Sequence, residues 1–461
     1  MKRDYSLFES FTKHGVWWLP SRPEDRVRGD LVFDGKKTEL KLFGAFEGTE
    51  SISVEQNLEI IFGSCGKEDV TLLNCGLGER WDVMRDSITS TWWCQFALIG
   101  LHAVHGLEHH FIQAEVRFTG LEYWIADKPI KDRFPADPID QLRTFRIEHH
   151  HEGPRYFDVQ AINARIGLAA SCNQEFAGYK VWLEHRAYIR ISPNQQRNLM
   201  WFIETQYQFQ RMLSFFADAS VQTLTLRLFS KGESDFDPPN GCLIWPATQR
   251  KDNSERLRRG MLIRFPDIAS RFAEVLNIWY ANAERLKHAY NQFFAATQHD
   301  VIYADQDFLQ LAQALEVFSR VALESKYVAE DEYKRIADAL VEAIPPTDLD
   351  LKASLKSRIR FGNEFSLRKR ITTILKNLEP ETVGLITNNV KAFVGKIVDT
   401  RNFFVHLDET SCGNAIKDNE LYPVINKLRL LLMILLMLEL KFSEEETREI
   451  VARSIVFEQS E

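Results

Sequence analysis

The hydrophobic period changes once along this chain, near Pro266, and that change governs what each side can fold into. Before it, apolar residues come in short or alternating stretches. Val32-Phe33, Leu40 to Phe43, Ile60 to Phe62 and Val70 to Leu73 are examples, parted by turn formers such as Asp34-Gly35. A period of two suits half-buried strands, so Phe8 to Trp124 is expected to form an antiparallel β-sandwich or barrel. After Pro266 apolar residues recur every three to four positions. That spacing predicts helices over 267–297, 305–325, 330–343, 365–377, 380–408, 421–441 and 443–457. Ser443 and Glu446 fit a capping box, and Pro380 suits a first helical turn. The predicted fold class is α+β, a β-rich N-terminal half followed by an all-α C-terminal bundle.

Between these regions lies a second β-rich stretch, from about Phe145 to Ile191, with Val181–Leu183 and Tyr188–Ile191 as strands. Leu199 to Phe216 has helical spacing, Thr223 to Phe229 reads as a strand, and Pro238 to Gly241 as a loop. A chain of 461 residues exceeds one hydrophobic core. The expected parts are a β-rich domain over 1–135, a second α+β part over 136–265 and a helical domain over 266–461, its core from about residue 300. Six cysteines without CxxC spacing suggest reduced thiols and a cytoplasmic protein. Met1 to Trp18 has no apolar signal core, and the Leu430–Leu438 run is short of the about 20 residues a membrane span needs, so no membrane is expected as a partner. A net charge of -8 argues against a surface that binds nucleic acid throughout, while leaving room for a local basic patch.

The informative segment runs from Val390 to Asp408. On a helical wheel Val390, Val394, Ile397, Val398, Phe404 and Val405 form an apolar stripe that also contains Arg401. A buried guanidinium stays charged and needs an acceptor, and Glu316, at the edge of the apolar face of Phe308, Leu311, Leu315 and Phe318, is the expected partner. Asn402 and His406 share a helix face, joined by Asp399. Histidine can move a proton at a ribose 2′-hydroxyl or a leaving oxygen, and arginine can neutralise a phosphorane-like transition state. Geometry by itself favours a plainer reading, an ordinary helix-face histidine and a salt-bridged arginine.

Arg401-Asn402, three residues and then His406, near a helix end in an all-α C-terminal region, resembles the R-x4-6-H signature of the HEPN superfamily. Phe308 to Glu316 resembles the first helix of its ApeA-like subgroup, and Gly15 to Pro20, Gly29 to Leu31 and Leu121 to Trp124 are similar to ApeA N-terminal domains. That resemblance implies a metal-independent endoribonuclease with no cofactor, acting on RNA in bacterial antiphage defence by halting growth of the infected cell. It further implies a homodimer through the HEPN domain, and a phage-derived trigger is a further possible partner. His406 would then be the acid/base, Arg401 the phosphate-stabilising residue, Asn402 a positioning group and Glu316 the support for Arg401. Because some HEPN domains are inactive, a non-catalytic nucleotide- or protein-binding scaffold is the alternative.

Between Leu351 and Lys376 eight basic residues stand against one acidic, Glu364. Arg358, Arg360, Arg368, Lys369 and Arg370 are the candidate RNA-binding residues; a solvated helix face is the competing reading. Leu428 to Leu440 is apolar all round its helix and should be covered on several sides, by a deep core or by a core and a dimer interface. His102, His105, His109, His110 and His149 to His151 match no strong zinc spacing, so a metal hydrolase is the third and weakest reading. The pairs Trp17-Trp18 and Trp92-Trp93 are expected in the core.

Overall fold

Alternation in the first hundred residues becomes six strands: β1 (Phe11–Leu19), β2 (Arg22–Phe33), β3 (Thr38–Leu42), β4 (Asn57–Cys65), β5 (Glu68–Val83) and β6 (Ser87–Ile99). The computed structural model describes residues 5–46, 57–83, 87–127, 129–133, 146–150, 153–232, 238–246, 254–297, 303–345, 349–406 and 413–458. Of the positions singled out in the sequence, Phe145, His151 and Asp408 lie outside these. The chain divides into two compact units, Met1–Tyr280 and Ala281–Glu461.

In the first unit the strands run β6-β3-β2-β1-β4-β5, and β5 pairs back with β6 to close an antiparallel barrel. Closure leaves no free edge among the six, which answers the sandwich-or-barrel question. Trp17, Leu31, Phe33, Leu40, Leu72 and Trp92 fill the interior. Each strand has a side-chain period of two, and on β6 the adjacent tryptophans part company: Trp92 is fully buried and Trp93 is 59% exposed, whereas Trp17 and Trp18 of β1 are both buried. Trp17 lies across Gly63, its register partner on β4, and its indole N–H donates to the Gly29 carbonyl at 3.1 Å.

β6 also belongs to a second array. Its Ser90–Trp93 segment pairs with β3, while Ala97–Ile99 pairs with β16 (Asn240–Ile244). The sheet continues from β16 through β15 (Thr223–Phe229), β8 (Gln113–Phe118), β13 (Lys180–Pro193), β12 (Ala164–Ala177) and β11 (Arg155–Val159). Thus β8, N-terminal to residue 135, pairs with β13 and β15 beyond it. Two small pairings, β7 (His110–Phe111) with β14 (Arg197–Asn198) and β9 (Ile130–Arg133) with β10 (Arg146–His149), complete the unit. The expected strands at Val181–Leu183 and Tyr188–Ile191 are one 14-residue strand, β13. Helix α1 (Leu199–Ala217) matches its predicted span; the Asn198 side chain caps it at Trp201 N, and Phe209 stacks on Phe118 of β8 at 5.8 Å between ring centroids.

The later helices are α2 (Phe272–Arg285), α3 (Lys287–Thr297), α4 (Ala304–Ala322), α5 (Glu330–Glu342), α6 (Leu349–Arg360), α7 (Leu367–Lys376), α8 (Val390–His406), α9 (Leu421–Glu439) and α10 (Glu444–Glu458). The predicted 380–408 helix is two: Pro380–Gly384, and α8, which begins where Asn389 Oδ1 accepts from Ala392 N at 3.0 Å. Helix α6 was not expected, because it has no buried face to leave a period in the sequence. α9 is long and apolar enough to cross a membrane by length and composition. Its run from Leu431 to Met437 is buried within the helical unit, against α4, α10 and α3, so a deep core alone covers it. The expected capping box is formed, Ser443 N donating to Glu446 Oε2 and Glu446 N to Ser443 Oγ.

A β-carbon at Gly63 would stand 2.2 Å from the Trp17 ring, with a fully buried indole unable to retreat. Gly63→Ala should therefore destabilise the barrel by about 1–3 kcal/mol, read as a lowered midpoint of thermal unfolding followed by tryptophan fluorescence.

Candidate active site

Helix α8 is anchored by one face. Phe393, Val394, Ile397 and Thr400 are buried, and Thr400 Oγ1 accepts from Ile416 N at 3.0 Å, tying the returning chain to the helix. The Lys417 ammonium lies over the Phe403 ring at 4.7 Å. Phe404 meets Phe308 of α4 at 6.1 Å between ring centroids. The sequence reading missed the contacts of Thr400 and Lys417; a threonine inside a helix was the available signal, since such a hydroxyl often seeks a local partner.

With that face fixed, the last turn presents its polar groups outward. Arg401 and Asn402 are half-buried, and Val405 and His406 are exposed. Arg401 Nη1 donates to Asn402 Oδ1 at 3.3 Å and lies 3.4 Å from His406 Nε2. A guanidinium only donates, so as a hydrogen bond this contact has Nε2 as its acceptor. The three residues expected to carry chemistry are thus together: a cation, an amide and a base around one exposed helix end.

Two expected members of the site are elsewhere. Asp399 accepts from Arg368 of α7 at 3.4 Å rather than joining Asn402 and His406. Glu316 does not meet Arg401; its Oε1 accepts from Arg320 at 3.0 Å, one turn along the same helix. α4 meets α8 at Phe308, and Glu316 lies eight residues further, about 12 Å along the helix. Arg401 is also half-solvated, which removes the need for a buried counter-ion.

The buried guanidinium of this unit is Arg370, not Arg401. Its side chain is 1% exposed, and it reaches Glu364 at 3.4 Å, which in turn binds Arg320 at 2.6 Å. Burial and the nearby Arg320 charge push the Arg370 pKa down, while Glu316 and Glu364 hold it up. Arg370 is therefore a correction to the expected RNA-binding set. On α7 it shares the inward face with Ile371, Ile374 and Leu375, beyond the reach of a ligand. Arg358, Arg360, Arg368 and Lys369 remain exposed, and Arg368 is carried to α8 by its bond to Asp399.

The N-terminal histidines have partners of their own. His102 Nε2 lies 3.0 Å from the Gly63 carbonyl oxygen, His109 Nε2 2.8 Å from Ser230 Oγ, and His149 Nε2 3.1 Å from His185 Nδ1. Burial, then the neighbouring His105 and His110, lowers the His109 pKa. Among the described residues no group of three or more His, Cys, Asp or Glu side chains could hold a metal ion.

Two family models match the chain. One, described as ApeA N-terminal domain 1, covers residues 12–279; the other, described as Apea-like HEPN, covers residues 309–446. No curated protein and no solved structure matches.

Since Glu364 keeps Arg320 when Arg370 is removed, Arg370→Ala should cost about 1–3 kcal/mol rather than the full penalty of an orphaned charge. Arg358→Ala and Arg360→Ala, both at exposed positions, should stay within about 0.5 kcal/mol. Thermal unfolding of the three variants measures the contrast.

Proposed function

The chain belongs to the ApeA family, with an ApeA N-terminal domain and an ApeA-like HEPN domain, and from that premise we propose that it is an RNA-cleaving effector of antiphage defence. HEPN domains are generally ribonucleases. The observation that carries the reading is the meeting of Arg401 and His406 at 3.4 Å on the exposed end of α8. His406 Nε2 takes the proton of a ribose 2′-hydroxyl. The freed oxygen attacks the adjacent phosphorus, the bond to the 5′-oxygen breaks, and that oxygen takes a proton from water as it leaves. Arg401 donates to the phosphoryl oxygens, whose charge is greatest in the transition state. Asn402 holds the guanidinium at its inner edge through its amide oxygen.

Both roles are filled by side chains, so the proposed chemistry assigns no step to a metal ion. Arg358, Arg360, Arg368 and Lys369 supply the sequence-independent attraction to the RNA backbone. In the proposed active form two copies pair through their helical units. The two α8 ends would then line one groove, where exposed Val405 and half-buried Phe403 beside His406 offer apolar surface for the contact. A phage-derived trigger would raise the fraction of chains in that paired form.

Cells expressing the wild-type chain should accumulate new RNA 5′ ends and arrest growth. His406→Ala and Arg401→Ala should each lower cleavage by about 10²–10⁴-fold with folding intact. Sequencing of RNA ends is the test. Equal end profiles for wild type and His406→Ala, with and without phage infection, would leave no nuclease to explain. With purified protein, cleavage should persist in excess EDTA.

A further inference from the structure

The first unit contains a cleft that the proposed RNA chemistry does not use. It holds about 450 Å³, within the range of small-molecule sites, and a lysine, an arginine and two histidines from four separate segments line it. Lys131 comes from β9, His150 follows β10, Arg155 opens β11 and His185 lies on β13. Lys131 has no ion-pair or hydrogen-bond partner among the described residues. Arg155 is held in place by Asp127, whose carboxylate accepts from Nη2 at 3.1 and 3.4 Å. The floor is apolar, made of Ile125, Leu168 and Ala169, each nearly buried.

A second compartment of about 430 Å³ adjoins the first and shares Ile125, Asp127, Pro129 and His185 with it. Its charge is opposite. Glu122 and Glu184 line it beside Leu183. Glu184 is neutralised by Arg186 at 2.7 Å. Glu122 accepts one bond, from Ala187 N to Oε1 at 3.0 Å, and its other oxygen has no hydrogen-bond partner among the described residues.

Lys131 and Arg155, the apolar floor and the Glu122 carboxylate together suit a ligand that carries an anionic group, an apolar ring face and a hydrogen-bond donor. We propose that the cleft binds a nucleoside phosphate, with the phosphates on Lys131 and Arg155, the ring over Ile125 and Ala169, and the amino group of the base on Glu122. The fork of Arg155 and the free ammonium of Lys131 are complementary to phosphate oxygens. Because every lining residue belongs to the first unit, the inference stands apart from the ribonuclease reading.

Calorimetric titration of the full-length chain with ADP, UDP, pyrophosphate and adenosine tests it. ADP should bind once per chain, more tightly than UDP, which lacks the amino group, and more tightly than pyrophosphate or adenosine. Lys131→Ala and Arg155→Ala should each weaken ADP and pyrophosphate by about tenfold or more. Lys131 is exposed, so that variant keeps its fold, which circular dichroism verifies. Glu122→Gln should weaken ADP while leaving pyrophosphate unchanged, and Arg401→Ala should leave both unchanged. An absence of heat with millimolar ADP, or binding that survives Lys131→Ala and Arg155→Ala, overturns the site. Equal affinity for ADP and UDP overturns the role of Glu122.

Discussion

The buried face of α8 constrains everything that the helical unit can present. Phe393, Val394, Ile397 and Thr400 hold the helix against its neighbours, and the Thr400 hydroxyl receives the amide of Ile416 from the chain that follows. A helix locked by one face has no rotational freedom left, so the direction of every other side chain is set to within its rotamers. Arg401, Asn402 and His406 fall in the last turn, past the end of that contact, where long side chains reach one another. Chemistry at a rigid helix end is better defined than chemistry on a loop, because the supporting backbone is already hydrogen-bonded.

Two clusters of charge flank this helix and do different work. Arg320, Glu364 and Arg370, with Glu316 beside them, form a network between α4, α7 and the turn before α7 that runs from the surface at Arg320 to the buried Arg370. Arg368, two residues earlier on the outward side of α7, bonds Asp399 and stays exposed. Adjacent residues of α7 thus serve opposite ends, Arg370 the interior and Arg368 and Lys369 the surface. Helical geometry makes this unavoidable, since neighbours in sequence differ by about 100° in direction.

Local pattern was legible in the sequence wherever burial left a period. α1 and the strand after it were read correctly, as were the capping box at Ser443 and the switch from strands to helices. The triad of Arg401, Asn402 and His406 was legible too, since its members lie within one and a half turns. What failed was pairing across distance. The closure of β5 on β6, the handover of β6 from β3 to β16, and the choice of Arg320 over Arg401 by Glu316 all depend on contacts that no local spacing records. Arg370 misled for a related reason. A run of basic residues reads as one surface, but the inward face of α7 was determined by Ile371 and Ile374, which claimed Arg370 with them.

The distribution of charge bears on how an acidic chain could still engage RNA. With 65 acidic and 57 basic residues the long-range field repels a polyanion. Screening confines that repulsion to about 8–10 Å at physiological salt, so a nucleic acid near the surface responds to local charge rather than to the total. Around α6 and the start of α7 that local charge is positive, because Arg358, Arg360 and Lys369 have no carboxylate partner among the described residues and Arg368 shares only Asp399. An overall negative charge opposes indiscriminate binding elsewhere on the molecule, and the exposed cations leave one favourable approach. On the ribonuclease reading proposed above, weak attraction over most of the surface and stronger attraction at these exposed cations would limit encounters to the productive ones.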